Sequence, residues 1–282
     1  MAGTQKLAFN GTKSVHGIVW EQLLRTPSCS LLQGHGGIAQ LVLHQGKLNL
    51  MNIEMLQNFE NALSVLEKSN PRVFIIKSDV SNIFCAGADL KERAKLSINE
   101  TKTLLNTLRG MFVRVFQMKI PTISSIAGAA IGGGLELALM TDMRFADTNS
   151  TFGLPEAKLG VIPGAGGTQM LHRTIGYSQS AELIFTGKII NAREAERIGL
   201  INKCFEQQGE AFAHSVEVAK DIMSCAPVSV AAAKEAMKTF YDNFDRGMST
   251  ELHCYEKTLH TLDRREGLHA FAERRHPSFV GK

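Results

Sequence analysis

With 282 residues, 44% of them hydrophobic and 21% charged, the chain can bury a large core. Its 31 basic and 27 acidic residues leave a net charge of +4, too balanced to require nucleic acid or an anionic membrane as partner. No stretch approaches the roughly 18 apolar residues of a membrane-spanning helix, since the richest, TISSIAGAAIGGGLELALM, is broken by serines, glycines and a glutamate.

The cysteines Cys29, Cys85, Cys204, Cys225 and Cys254 are odd in number and form no C-x-x-C pair. That pattern argues against a disulfide scaffold and a thiolate zinc site, and for a reducing compartment. Residues 1–35 carry one acid, Glu21, beside Lys6, Lys13 and Arg25, and are rich in Ser, Thr and Gly. They read as an N-terminal tail, either disordered or the remnant of a mitochondrial presequence, with the single arginine favouring disorder.

Beyond the tail, apolar periodicity alternates between two kinds. IAQLVLH (Ile38 to His44) predicts a strand, and Met55, Leu56, Phe59, Leu63 and Leu66 then recur at helical spacing until Asn70-Pro71. RVFIIKS predicts a second, fully apolar strand. The helix of TKTLLNTLRGMFVRVFQM ends before Pro121, and TISSIAG supplies a third strand. After Asn191, an N-cap with Glu194 three residues on, GLINKCF predicts one more strand, and from about Gly209 the chain reads as helical. This alternation is the pattern of an α/β fold, with a core over 36–226 and a helical region over 227–282 divided near Ala226-Pro227.

In AAIGGGLELALM, Gly132, Gly133 and Gly134 precede a glutamate and an apolar run, although glycine is among the poorest helix formers. Strand, glycines and helix make the setting for a phosphate loop, but no G-x-x-x-x-G-K-[ST] is present. From Gly164 and Gly166 the third glycine of a dinucleotide fingerprint falls on Gln169. G-x-S-x-G and H-E-x-x-H are also absent. What remains is the amide itself: at the positive end of a helix, with no side chain in the way, Gly133 N is half of an oxyanion hole. A second glycine-punctuated loop, IFCAGADLKER (Ile83 to Arg93), follows RVFIIKS and offers another such amide. Glu136 lies in the first turn after the glycines and Glu156 follows Pro155, a residue suited to starting a helical turn. A lone glutamate at Glu136 would ordinarily answer its own helix dipole. Cys85, with no basic neighbour in sequence, reads as a small buried thiol.

The blocks FCAGADLKERAK, GAAIGGGLELAL, FGLPEAKLGVIPGAGGTQ, ELIFTGKIINAREAERIGL and DRREGLHAFAERRHPSFVGK together resemble the crotonase, or enoyl-CoA hydratase/isomerase, superfamily from about Ile38 to Lys282. FCAGADLKERAK is especially similar to the mitochondrial branch of methylglutaconyl-CoA hydratase and enoyl-CoA hydratase-domain proteins. The resemblance implies an α/β spiral of β-β-α units and a helical C-terminal trimerisation region, in homotrimers or dimers of trimers. It makes the amides of Ala88 and Gly133 the hole for a thioester oxygen, and Glu136 and Glu156 the two catalytic carboxyls. Glu136 becomes the base that activates water and Glu156 the proton donor. Asp89, Leu90 and Lys91 match positions along the CoA channel, and Phe271 and Arg274 match the segment that closes a neighbour's CoA site.

The activity so implied is reversible hydration of a 2-enoyl-CoA in fatty-acid or branched-chain amino-acid catabolism, without metal or cofactor, coenzyme A being part of the substrate. The mitochondrial matrix is the expected compartment in a eukaryote, the cytoplasm otherwise. 3-Methylglutaconyl-CoA hydration and enoyl-CoA isomerisation are the alternatives. A methylglutaconyl group bears a distal carboxylate that wants a cation, for which Lys95, Arg109, Arg114 and Lys119 are candidates. RNA binding, known in that branch through a lysine-rich helix, is not expected, because NIEMLQNFENALSVLEKS offers Lys68 alone among Glu54, Glu60 and Glu67.

Overall fold

The computed structural model describes residues 13–34, 36–238, 253, 257 and 260–282. Its framework starts inside the predicted tail. Strands β1 (Lys13–Val15), β2 (Ile18–Arg25), β3 (Cys29–Gly34) and β4 (Ile38–Leu43) pair antiparallel in succession. Residues 13–34 therefore belong to the sheet, which corrects the reading of 1–35 as a tail; residues 1–12 lie outside the described residues. The missed signal is alternation: Ile18 and Trp20 are buried in the core while Val19 is half-buried and Glu21 exposed.

From β4 onward the large sheet is parallel, and the chain begins to wind. Helix α1 (Ile53–Ser69) is capped by Asn52, whose side chain accepts from Met55 N, and ends at Asn70 in the left-handed region ahead of Pro71. The five apolar residues picked out by their spacing are all buried. Strand β5 (Val73–Ser78) pairs with β4, and β6 (Ile83–Cys85) then starts a second sheet before α2 (Leu90–Arg93) and α3 (Ile98–Gln117). The next turn repeats the pattern with β7 (Thr122–Ile126) beside β5, β8 (Ala129–Ile131) beside β6, and α4 (Gly133–Leu139).

A third turn adds β9 (Met143–Asp147) beside β7, β10 (Thr151–Gly153) beside β8, a 3-10 turn at Pro155–Leu159, α5 (Gly167–Ile175) and α6 (Tyr177–Thr186). Strand β11 (Ile189–Asn191) runs antiparallel to β10, α7 (Ala192–Arg197) follows, and β12 (Lys203–Phe205) completes the large sheet beside β9. The orders are β1-β2-β3-β4-β5-β7-β9-β12 and β11-β10-β8-β6, a spiral of β-β-α units with mixed α/β character. Helices α8 (Glu210–Met223), α9 (Pro227–Lys238) and α10 (Leu262–Glu273) follow.

Burial on both faces explains the composition of β5. Phe74 and Ile76 join Phe59 and Phe112 in the main core, while Val73 and Ile75 pack with Val216 and Ala219 of α8. Helix α4 is buried along its whole length, so it shows no amphipathic stripe, and its N-terminus opens inside the molecule where the two sheets meet.

Candidate active site

The two glycine loops converge. A Cβ on Gly87 would stand 3.3 Å from Gly133 N and 2.8 Å from the Ile131 carbonyl, so only a glycine lets the loop after β6 lie against the opening of α4. Met51 N donates to Gly87 O at 2.8 Å and fixes that loop from the other side. Gly132 adopts a φ of +54°, and Gly134 packs so closely on β6 that a Cβ there would meet the Cys85 carbonyl at 2.0 Å. The three glycines thus serve a turn, an open amide and a helix-to-strand contact in that order. Among the described residues no carbonyl or side chain accepts from Ala88 N or Gly133 N.

Glu136 is 3% exposed, and its Oε1 accepts from Ala165 N at 2.7 Å and Gly167 N at 2.9 Å. The acid therefore answers the N-terminus of α5 rather than the dipole of its own helix. Burial pushes its carboxyl above the ordinary glutamate range, against the pull of those two amides and of Arg93 and Arg109. Glu156 rides on the 3-10 turn, and its Oε1 lies 3.0 Å from where a Cβ on Gly132 would stand. Its Oε2 is buried with no partner. Burial first, then the charge of Glu136, raise Glu156 to about 7, with Arg93 opposing. The two carboxyls thus sit together in unlike environments, one bonded by amides, the other short of partners.

The outer residues divide. Asp89 turns its carboxylate to the N–H groups of Lys91 and Glu92, both at 3.0 Å, and caps α2. Leu90 and Lys91 are exposed on that short helix. Arg274 is exposed just past α10. Phe271 lies in α10, its side chain outside the described residues. Among the candidate cations, Arg114 is committed to Glu60 and Glu67 of α1, and Lys119 lies in a cleft with Leu66 and Pro71. Lys95 is exposed beyond α2. Of the four, Arg109 is the one whose charge acts on Glu136. Arg93, not among the candidates, acts on both. Sequence reasoning also missed the Ala165 and Gly167 amides, although the glycine run that carries them was visible. Cys85 is fully buried, donates to Asn49 O at 3.0 Å and is pushed up to about 12.

Two carboxyls of unlike environment, with two amides that find no acceptor among the described residues, on a β-β-α spiral, suit acid–base chemistry at a centre where negative charge develops on an oxygen. The chain matches the enoyl-CoA hydratase/isomerase family over residues 33–282 and belongs to it, as an enzyme of the hydro-lyase type. It is 48% identical over 83% of its length to the probable mitochondrial enoyl-CoA hydratase 2 of Arabidopsis thaliana, covering 78% of that protein. It is 42% identical over 82% of its length to the mitochondrial methylglutaconyl-CoA hydratase of Homo sapiens, covering 68% of it. The crystal structure of enoyl-CoA hydratase from Bacillus anthracis superposes with a TM-score of 0.84 at 35% identity, covering 93% of this chain and 99% of that one.

Proposed function

We propose that this chain adds water reversibly across the 2,3 double bond of 2-enoyl-CoA thioesters, with Ala88 N and Gly133 N as the oxyanion hole. Hydration places oxygen on the β-carbon and drives negative charge through the α-carbon to the thioester oxygen. Two fixed amides meet that charge, each worth about 2.7–4 kcal/mol in a comparable acyl-transfer hole. Glu136, bonded through Oε1 to two amides, is held as the base that takes a proton from water. Glu156, raised to about 7, is kept available as the acid that protonates the α-carbon. The roles reverse in dehydration. These groups ask for no metal or cofactor, coenzyme A entering as part of the substrate.

The observation that carries the reading is the meeting of both glycine loops and the Glu156 carboxyl at Gly132–Gly133, with Glu136 one turn into the helix that opens there. The test is purified protein with crotonyl-CoA and with a 3-enoyl-CoA. Loss of the conjugated enoyl absorbance with the first supports a hydratase, whereas rearrangement of the second alone would make the chain an isomerase. A second reading, hydration of 3-methylglutaconyl-CoA, is favoured by the cations that act on Glu136. Relatives named as mitochondrial support the mitochondrial matrix as its compartment if the source is a eukaryote.

Assembly as a homotrimer or a pair of trimers is part of the same proposal. Leu159, Val161, Ile162, Tyr177 and Phe185 are exposed around the 3-10 turn and α6, a large apolar area that a second copy would cover. Asp89, Leu90 and Lys91, and Phe271 and Arg274 from a neighbour, are retained as proposed outer contacts to CoA. No nucleic-acid partner is proposed, since two acids of α1 already hold Arg114 and the helix carries one lysine.

A further inference from the structure

Asn49 sits on the loop between β4 and α1, wholly buried and with a φ of +49°. Asparagine is one of the few residues with a side chain that enters this left-handed region readily. Every polar atom of that side chain is engaged. Oδ1 accepts from Gln45 N at 2.7 Å, and Nδ2 donates to Ser78 Oγ at 2.8 Å and to Phe84 O at 3.0 Å. Ser78 ends β5 of the large sheet and Phe84 lies in β6 of the small one. One buried amide thus ties the two sheets together just before the chain turns toward Ala88.

The backbone around Asn49 continues the lacing. Leu48 O accepts from Ala86 N at 3.0 Å, Asn49 O accepts from Cys85 Sγ at 3.0 Å, and Met51 N donates to Gly87 O at 2.8 Å. Met51 also bridges to Ala88 itself, and Ile53 N, at the start of α1, donates to Glu92 Oε2 at 3.1 Å. Residues 48–53 therefore run alongside residues 85–92, and Met51 Cγ comes within 3.8 Å of where a Cβ on Gly133 would stand.

An oxyanion hole works through donors that are fixed before the charge develops. Gly133 N belongs to the buried helix α4, which holds it in place. Ala88 lies between β6 and α2 and belongs to neither, so its direction is set by the strip of residues 48–53 laid against it. We infer that Asn49 is a positioning residue of the reaction: its carboxamide anchors that strip and so fixes where Ala88 N points. Buried and fully bonded, Asn49 acts through Ala88 and touches no substrate. Aspartate is no replacement, since a second carboxylate oxygen would face the Phe84 carbonyl where the amide now donates.

This role rests on the hydratase reading above, and Asn49→Gly tests it, because glycine accepts the left-handed backbone and removes only the carboxamide. Two readouts separate positioning from plain destabilisation. One is the absorption of bound dimethylaminocinnamoyl-CoA, a push–pull enoyl thioester that shifts to the red when hydrogen bonds polarise its carbonyl. The other is the kcat for crotonyl-CoA set against the dissociation constant of saturated butyryl-CoA. The native protein is expected to give the red shift. In folded Asn49→Gly the shift shrinks, kcat falls about ten- to a hundredfold, and the butyryl-CoA constant moves less than about threefold. Asn49→Asp, close to the native side chain in shape, is expected to behave alike and serves if the glycine variant does not fold. A native red shift and kcat in either folded variant overturn the role of Asn49 and leave the hydratase reading standing. A kcat and a butyryl-CoA affinity that fall together, with the red shift of the bound probe unchanged, make Asn49 a packing residue only and overturn it as well. A native protein that neither shifts the probe nor hydrates crotonyl-CoA overturns both.

Discussion

Glu136 Oε1 accepts a hydrogen bond from Gly167 N at 2.9 Å, so an acid on the first turn of one helix is held by the first amide of another. This contact clamps the carboxyl of Glu136 in a fixed orientation inside a buried helix. It also joins two segments far apart in sequence, and it leaves Oε2 without a donor among the described residues and free to take a proton.

Removing either acid should therefore stop proton transfer and spare the fold. Glu136→Gln and Glu156→Gln are each expected to lower the hydration rate by at least about a hundredfold, with the far-ultraviolet spectrum of the native protein. Turnover of crotonyl-CoA within threefold of native in either variant would remove that residue from the mechanism.

The pH profile should reveal the acid. Glu156 must be protonated to donate, and its carboxyl stands at about 7, so kcat/KM for hydration should fall as pH rises through about 7. Dehydration needs the same group ionised and should rise over that range. In Glu156→Gln the residual activity should lack this limb in both directions.

The same burial has a cost in stability. Because Glu156 is raised from 4.5 to about 7, the folded state holds a proton that the unfolded state has lost between those values. Its contribution to stability is thus lost as pH rises from about 4.5 through about 7, and the full penalty applies above. Urea midpoints should show Glu156→Gln gaining on the native protein between pH 5 and pH 8, and a flat difference would refute the assignment.

Two helical glycines should respond in opposite directions. Gly134→Ala drives a methyl into the Cys85 carbonyl, backbone that cannot step aside, and should destabilise by about 1–3 kcal/mol or more. Gly110, exposed in the interior of α3 with nothing within 4 Å of an added Cβ, should gain about 0.5–1 kcal/mol as alanine. Thermal melts of the two variants check both signs.

Cys85 should behave as a packing residue. Fully buried and pushed up to about 12, it should resist iodoacetamide at pH 8 in the native protein and react only after denaturation. Labelling at a rate matching that of the exposed Cys225 would contradict its placement.

Much of the framework was legible in one dimension because its physics is local. The spacing of Met55, Leu56, Phe59, Leu63 and Leu66 fixes the buried face of α1, Asn70-Pro71 ends it, and the unbroken apolar run of VFIIKS marks a strand covered on both sides. The two glycine loops and both glutamates were visible too, as motif blocks, and the structure brings the loops together. The strands of residues 13–34 were not, because sparse charge and scattered Ser and Gly hid a short alternation that pays only when β4 offers an edge.

Tertiary structure alone decided which groups face one another. Nothing in the spacing of Glu136 and Glu156 tells that Glu156 reaches the Gly132 turn while Glu136 turns to the amides of Ala165 and Gly167, or that Arg114 is spent on Glu60 and Glu67. Sequence sets torsions and burial over a few residues at a time. Convergence of side chains and the local dielectric that tunes them exist only after distant segments have packed and excluded water.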